Sequence, residues 1–90
     1  ASAWPESLHV LGHLQRASGD AAAAIRAFEA ALDGAPMFTQ AKLDLATAYM
    51  ASGRFPEATA RLIEARADTP SSFDVLFNLG ICLQMTADGE

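Results

Sequence analysis

The feature that most constrains the fold of this chain is an internal repeat with a period of 34 residues. Turn residues and apolar residues both match at this offset: Gly12, Ala46 and Gly80; Leu11, Leu45 and Leu79; Gly19 and Gly53; Ala24 and Ala58; Ala31 and Ala65; Pro36 and Pro70. A fixed period of this length indicates copies of one supersecondary unit that stack to share a core. Ninety residues allow a single domain, 1–90, built in this way.

The apolar residues inside each period follow the spacing of an α-helix, and the alternation typical of a β-strand is nowhere sustained. Pro5 and Pro56 suit the first turn of a helix, Asp20 suits an N-cap, and Gly19 and Gly53 suit helix ends. We therefore predict an all-α fold of five helices in antiparallel pairs. The expected helices cover about 5–18, 20–32, 39–52, 56–67 and 72–87.

Gly12 lies inside the first predicted helix and recurs at equivalent positions as Ala46 and Gly80. A small residue held at one place in successive helices lets a neighbouring helix approach closely. We therefore expect this position to serve packing rather than ligand binding.

The order of these residues resembles the tetratricopeptide repeat, whose signature is a large residue before Leu-Gly, then Ala-x-x-x-aromatic, Ala and a closing Pro. The first copy carries the pattern as Leu8-x-x-Leu11-Gly12, Ala24-x-x-x-Phe28, Ala31 and Pro36. The second copy runs from Lys42 to Pro70, with Lys42 where a bulky residue is usual. The resemblance implies an α-solenoid, a right-handed superhelix with repeats at about 5–38 and 39–72 and a partial third at 73–90.

The resemblance also implies a concave groove, lined by the first helix of each repeat, that binds an extended peptide or a partner helix. Counting about 100° per residue, eight candidate contact residues lie off the packing side of these helices: His9, His13, Leu43, Thr47, Met50, Phe77, Ile81 and Met85. Asn78, next to Phe77, is a ninth candidate, which could hydrogen-bond a partner's backbone. Relatives that grip a C-terminal carboxylate use Lys and Asn at positions that here hold His9, His13, Leu43 and Thr47, so we expect a different partner.

Composition excludes several other kinds of partner. The chain has 11 acidic and 6 basic side chains and a formal charge of -5, so it lacks the cationic surface that nucleic acid requires. No apolar run approaches the roughly 20 residues of a membrane span, and no signal peptide is evident, so we expect a cytoplasmic protein. Abundant alanine, with five arginines against one lysine, is typical of a GC-rich bacterial gene.

No pattern of residues predicts catalysis or a cofactor. The lone cysteine, Cys82, has no nearby base and is expected to be a small buried apolar residue. Glu6-x-x-His9-x-x-x-His13 places three possible metal ligands on one helical face. Their order differs from the metalloprotease helix, and no second segment obviously supplies a further ligand. We therefore interpret the histidines as groove residues and expect no metal site.

Two other functions stay open from the sequence. The chain could be the recruiting or regulatory arm of a larger enzyme, since similar repeats precede glycosyltransferase or sulfotransferase domains. It could also be a self-assembling scaffold, because the fifth helix has no predicted partner on its outer side. We expect a second copy or a continuation of the chain to cover the apolar residues there, Leu76, Leu79, Cys82 and Leu83. We expect Trp4 to cap the first repeat; if it is exposed instead, it could anchor a partner.

Overall fold

The computed structural model describes residues 4–88 and shows five α-helices and no strand within that range. The helices are α1 Pro5–Ala17, α2 Ala21–Gly34, α3 Thr39–Ala51, α4 Phe55–Asp68 and α5 Phe73–Asp88. Every predicted helix is present, and the predicted ends lie within two residues of those observed. The prediction of an all-α fold built from helical repeats is confirmed.

The α1–α2 and α3–α4 hairpins turn at glycines in the left-handed backbone region. Gly19 has a φ of +88°, and the N–H groups of Gly19 and Asp20 donate to the carbonyls of Arg16 at 3.0 Å and Gln15 at 2.9 Å. Gly53, with a φ of +75°, closes α3 in the same way. This Schellman arrangement satisfies the last carbonyls of each helix. The Asp20 carboxylate then caps α2 by accepting a backbone N–H, as predicted.

The helices pack in chain order, each against the helix before it and the helix after it. The result is an elongated stack that measures 43 × 28 × 17 Å. In such a solenoid, stability comes from contacts between neighbours. None of the described helices is long and apolar enough to cross a bilayer.

The core consists of small alanines and a few large side chains. The largest side chains with almost no exposure are Phe28, Leu45, Leu62, Val75 and Cys82. Gly12 lies against Phe28, because a methyl group on Gly12 would come within 2.7 Å of Cδ1 and 2.8 Å of Cζ of that ring. The prediction that Gly12 allows close helix approach is confirmed. At Gly80, by contrast, a methyl group would meet no described atom within 4 Å.

Equivalent positions become exposed where the described stack ends. Leu11 is 43% exposed, whereas Leu45 and Leu79, one and two periods later, are 1% and 6% exposed. The difference arises because α3 and α5 each pack against a preceding helix, and α1 is the first helix described. Trp4 is also exposed, so the prediction that it caps the first repeat is wrong.

The apolar surface predicted on α5 is confirmed only in part. Leu76 and Leu83 are exposed, whereas Leu79 and Cys82 belong to the buried core. The packing of α4 against α5 explains the difference, since it covers one side of the helix and leaves the other open. Burial raises the pKa of the Cys82 thiol, in keeping with its predicted role as a small apolar residue.

Lys42, which departs from the family pattern, forms a largely buried ion pair inside the α3–α4 hairpin. Its Nζ lies 2.7 Å from Oδ2 of Asp68, and Oγ1 of Thr39 donates to the same oxygen at 3.2 Å. The hydrogen bond from Lys42 lowers the pKa of Asp68. A lysine is accommodated here because its aliphatic stem fills space while its charge meets a carboxylate.

Candidate functional site

The candidate site is the set of nine predicted contact residues on α1, α3 and α5, which we call the groove face: His9, His13, Leu43, Thr47, Met50, Phe77, Asn78, Ile81 and Met85. The structure divides them into two groups. A polar group joins α1 to α3 by hydrogen bonds. An apolar group runs from α3 to the exposed side of α5.

In the polar group, two histidines one turn apart on α1 point at a single carboxylate on α3. The Nε2 atoms of His9 and His13 lie 2.5 and 2.9 Å from Oδ2 of Asp44. The His9 ring centroid is 4.6 Å from that of His13 and 4.8 Å from that of Phe38. The Phe28 ring lies 5.7 and 5.5 Å from His9 and His13. Aromatic packing therefore fixes both imidazoles, in addition to their hydrogen bonds.

Asp44 is buried, and side-chain donors surround it. Nε2 of Gln40 donates to Oδ1 of Asp44 at 3.3 Å. Arg16 donates to Nδ1 of His13 at 3.2 Å and to Oγ1 of Thr47 at 3.4 Å. Because Nδ1 of His13 accepts a hydrogen bond, its Nε2 carries the proton that is donated to Asp44. Both imidazoles and the Gln40 amide thus satisfy the buried carboxylate.

Sequence reasoning missed Asp44. It placed the carboxylate of Glu6 beside the histidines and found no second segment, whereas the structure brings Asp44 of α3 to them. A signal was present, because Asp44 stands between Leu43 and Leu45 in a helix that must pack on both sides. A carboxylate at a buried position requires donors, which another helix has to supply.

The apolar group ends in an exposed aromatic pair. Phe77 is 56% exposed and stacks on Phe73, with ring centroids 5.6 Å apart. Met85, two turns further along α5, is exposed as well. The remaining members of the groove face outside the histidines are half-buried: Leu43, Thr47, Met50, Asn78 and Ile81. Apolar side chains are thus offered most openly on α5.

Two clefts lie elsewhere, along α2 and α4. The larger has a volume of about 440 Å³ and is lined by Glu29, Leu32, Asp33, Leu45, Tyr49, Glu57, Ala60 and Arg61. The smaller has a volume of about 320 Å³ and shares three of these residues. As far as the described residues show, no member of the groove face lines either cleft. Charged groups at the rim pair with one another, as Arg61 does with Glu64 at 3.0 Å.

Tyr49, at the floor of the larger cleft, links α3 to α2. Its hydroxyl donates to Oε2 of Glu29 at 2.7 Å, and the Arg54 guanidinium lies 4.7 Å from its ring centroid. Burial, followed by the Glu29 hydrogen bond and charge, raises the pKa of Tyr49 from 10.0 to about 12, against the opposing effect of Arg54. Because the pKa of Tyr49 is higher in the folded chain than in the unfolded chain, Tyr49 contributes to the free energy of unfolding. This contribution is fully present below about pH 10 and is lost as the pH rises towards 12.

Because the chain contains one tyrosine, its ionisation can be followed without ambiguity by ultraviolet absorbance. We expect tyrosinate to form near pH 12 in the folded protein and near pH 10 in urea. Glu29→Gln should bring the folded midpoint closer to 10, because it removes the negative charge beside the hydroxyl. Equal midpoints in the folded and urea-unfolded chain would contradict the observed Tyr49–Glu29 contact.

Comparison with known proteins agrees with this architecture. The family model described as tetratricopeptide repeat matches residues 15–79, which is most of the chain. The comparison with curated proteins found no match. Tetratricopeptide repeats are typically non-catalytic modules for protein–protein interaction. The 34-residue period, the helix pairs that pack in chain order and this match together place the chain in the tetratricopeptide repeat family.

Proposed function

We propose that the groove face binds an extended peptide or a partner helix that carries apolar side chains. The observation that carries this proposal is the exposed, stacked pair of Phe73 and Phe77, continued along α5 by the half-buried Ile81 and the exposed Met85. Exposed aromatic and methionine side chains are enriched in protein interfaces and often dominate their binding energy. Half-buried Asn78, next to Phe77, is suited to hydrogen-bond the partner's backbone.

The α1–α3 end of the groove face contributes rigidity rather than free binding groups. The Nε2 atoms of His9 and His13 already donate to Asp44, and aromatic rings pack against both imidazoles. A surface whose side chains are fixed before binding loses less conformational entropy when the partner arrives. The partner's apolar side chains should therefore lie on α5 and α3.

The charged cleft along α2 and α4 is the competing surface. Its arginines are engaged within the chain, Arg61 with Glu64 at 3.0 Å and the nearby Arg54 with Glu57 at 2.8 Å. A partner bound there would have to displace exposed ion pairs, which are screened by solvent and stabilise a fold only weakly. The groove face is favoured because it exposes aromatic area, whose removal from water is the larger driving force.

Selection of a random peptide library on the wild-type chain, followed by measurement of Kd for the selected peptides, tests the proposal. We expect Phe77→Ala to raise Kd about 30-fold, which corresponds to about 2 kcal/mol for an interface hot spot. Ile63→Ala is the matched control, because Ile63 is 47% exposed on α4, away from the groove face. It should change Kd less than about threefold.

A third variant, Arg61→Ala, reports on the cleft. If Arg61→Ala or Ile63→Ala weakens binding while Phe77→Ala leaves it unchanged, the partner binds along α2 and α4 and the proposal is wrong. Circular dichroism on each variant ensures that a change in Kd reflects the surface and not unfolding.

Self-association is a second candidate, favoured by exposed residues at both ends of the stack. Leu83 is 55% exposed, whereas Tyr49, one period earlier, is 6% exposed, and Leu11 shows the same contrast with Leu45. A second copy that covers these positions would bury apolar area on both chains. Measurement of molecular mass against concentration separates this use of the chain from peptide binding.

A further inference from the structure

The cluster of His9, His13 and Asp44 has the composition of a metal site. One ligand atom from each residue can be chosen so that all three lie within 4.8 Å of one another. The spacing of four residues on α1 places both imidazoles over the same carboxylate of α3. Two imidazole nitrogens and one carboxylate oxygen form a ligand set that Zn²⁺ and neighbouring divalent transition metals accept.

We propose that His9, His13 and Asp44 bind a divalent transition-metal ion, with zinc as the best fit, and leave one coordination position open at the edge of the groove face. In a tetrahedral zinc site with bonds of about 2.0–2.1 Å, neighbouring ligand atoms are about 3.3 Å apart. The two nitrogens now lie 2.5 and 2.9 Å from Oδ2. Each nitrogen–oxygen distance would therefore have to lengthen by less than about 1 Å to reach the spacing of a zinc site.

The surroundings suit this site on three counts. The Gln40 amide donates to Oδ1 of Asp44, which leaves Oδ2 for the metal and holds the carboxylate in place. The side chain of His13 is 38% exposed and gives access from solvent, whereas those of His9 and Asp44, at 15% and 9%, form the inner wall. The formal charge of -5 on the chain favours the approach of a cation.

The hydrogen bond of Arg16 to His13 disfavours metal binding. In the described state Nε2 of His13 carries a proton and Nδ1 accepts a hydrogen bond from Arg16 at 3.2 Å. Coordination through Nε2 requires its lone pair, so the proton that His9 and His13 each donate to Asp44 has to leave Nε2 by exchange with solvent. In His13 it moves to Nδ1, the atom that accepts from Arg16. Two donors would then face each other, and the exposed guanidinium of Arg16 has to swing away. Removal of Arg16 should therefore tighten metal binding.

Calorimetric titration of the untagged wild-type chain with ZnCl₂ tests the site. We expect one zinc per chain and, with zinc at a hundredfold excess over Kd, a rise in Tm of about 10 °C or more. His13→Ala should weaken binding at least about tenfold, and Arg16→Ala should strengthen it. Glu6→Gln is the matched control, because Glu6 lies on the same helix outside the cluster, and it should bind zinc like the wild type.

Cobalt(II) provides an independent readout, since a tetrahedral site with nitrogen and oxygen ligands gives visible absorption that His13→Ala should lose. Asp44→Asn should also lose binding, and if this buried variant fails to fold, the partly exposed His13 carries the test. The proposal is overturned if the wild type shows no stoichiometric binding at about 1 mM zinc. It is equally overturned if His13→Ala binds as the wild type does, or if Glu6→Gln abolishes binding.

Discussion

Replacing Phe28 with alanine should lower the free energy of unfolding by about 3–5 kcal/mol. Phe28 is fully buried, and its ring contacts the backbone at Gly12 and the rings of His9 and His13. The substitution leaves a cavity in the buried cluster to which Phe28 belongs, and the surrounding residues relax only partly into such a cavity. Urea unfolding followed by circular dichroism measures the loss, which is a large fraction of the stability of a domain of this size.

Phe77→Ala is the matched control for this prediction. It removes the same atoms from a helix position that is 56% exposed, so the free energy of unfolding should change by less than about 1 kcal/mol. A larger loss from Phe77→Ala than from Phe28→Ala would mean that the buried and exposed faces have been interchanged.

Gly12→Ala should destabilise the chain by up to about 2 kcal/mol, although alanine is the better helix former. The added methyl group would overlap the Phe28 ring, which His9 and His13 prevent from moving aside. Overpacking of this kind costs about 1–3 kcal/mol, and the gain in helix propensity offsets about 1 kcal/mol. Thermal or urea unfolding of the variant measures the net effect.

Gly80→Ala separates the cost of overpacking from the gain in helix propensity. Gly80 is the equivalent residue of α5, and a methyl group there meets no described atom within 4 Å. Only the gain in helix propensity applies to this variant, so its free energy of unfolding should rise by up to about 1 kcal/mol. If both glycine variants shift stability in the same direction by similar amounts, close contact at Gly12 is not what restricts that position.

A double variant tests whether the contact is pairwise. The second repeat holds Ala46 and Leu62 at the positions of Gly12 and Phe28, and both are fully buried. Combining Gly12→Ala with Phe28→Leu reproduces that pair in the first repeat. We expect the double variant to be at least about 0.5 kcal/mol more stable than the sum of the single effects predicts. Strict additivity would show that the two sites are independent.

The helices and their order could be predicted from the sequence because their causes are local. Gly19 and Gly53 end helices through a backbone conformation that glycine adopts without strain, and Asp20 caps the next helix with its own carboxylate. The spacing of apolar residues gives the buried side of α3, as at Leu45 and Tyr49. These signals lie within a few residues of the structure they determine.

The polar contacts could not be predicted in the same way. Asp44 meets His13 across 31 residues, and Lys42 meets Asp68 across 26. Helix periodicity says which side of a helix a residue occupies, but these pairs depend on the distance and rotation between two helices. Lys42 showed only as a departure from the repeat pattern. The prediction that Trp4 caps the first repeat failed for a related reason. Burial of a residue at the end of the described stack depends on which other elements cover it.

The serial order of the helix contacts determines how the molecule opens. Detaching α5 breaks the α4 interface and a minor contact with α3, whereas α3 has extensive interfaces on two sides. We therefore expect partial unfolding of this chain to begin at α1 and α5, and the amide hydrogens of α3 to exchange last. Helix α5, which carries the exposed pair of Phe73 and Phe77, is thus expected to be among the first to unfold. A ligand that binds α5 in the folded state would therefore also stabilise that end of the stack against local unfolding.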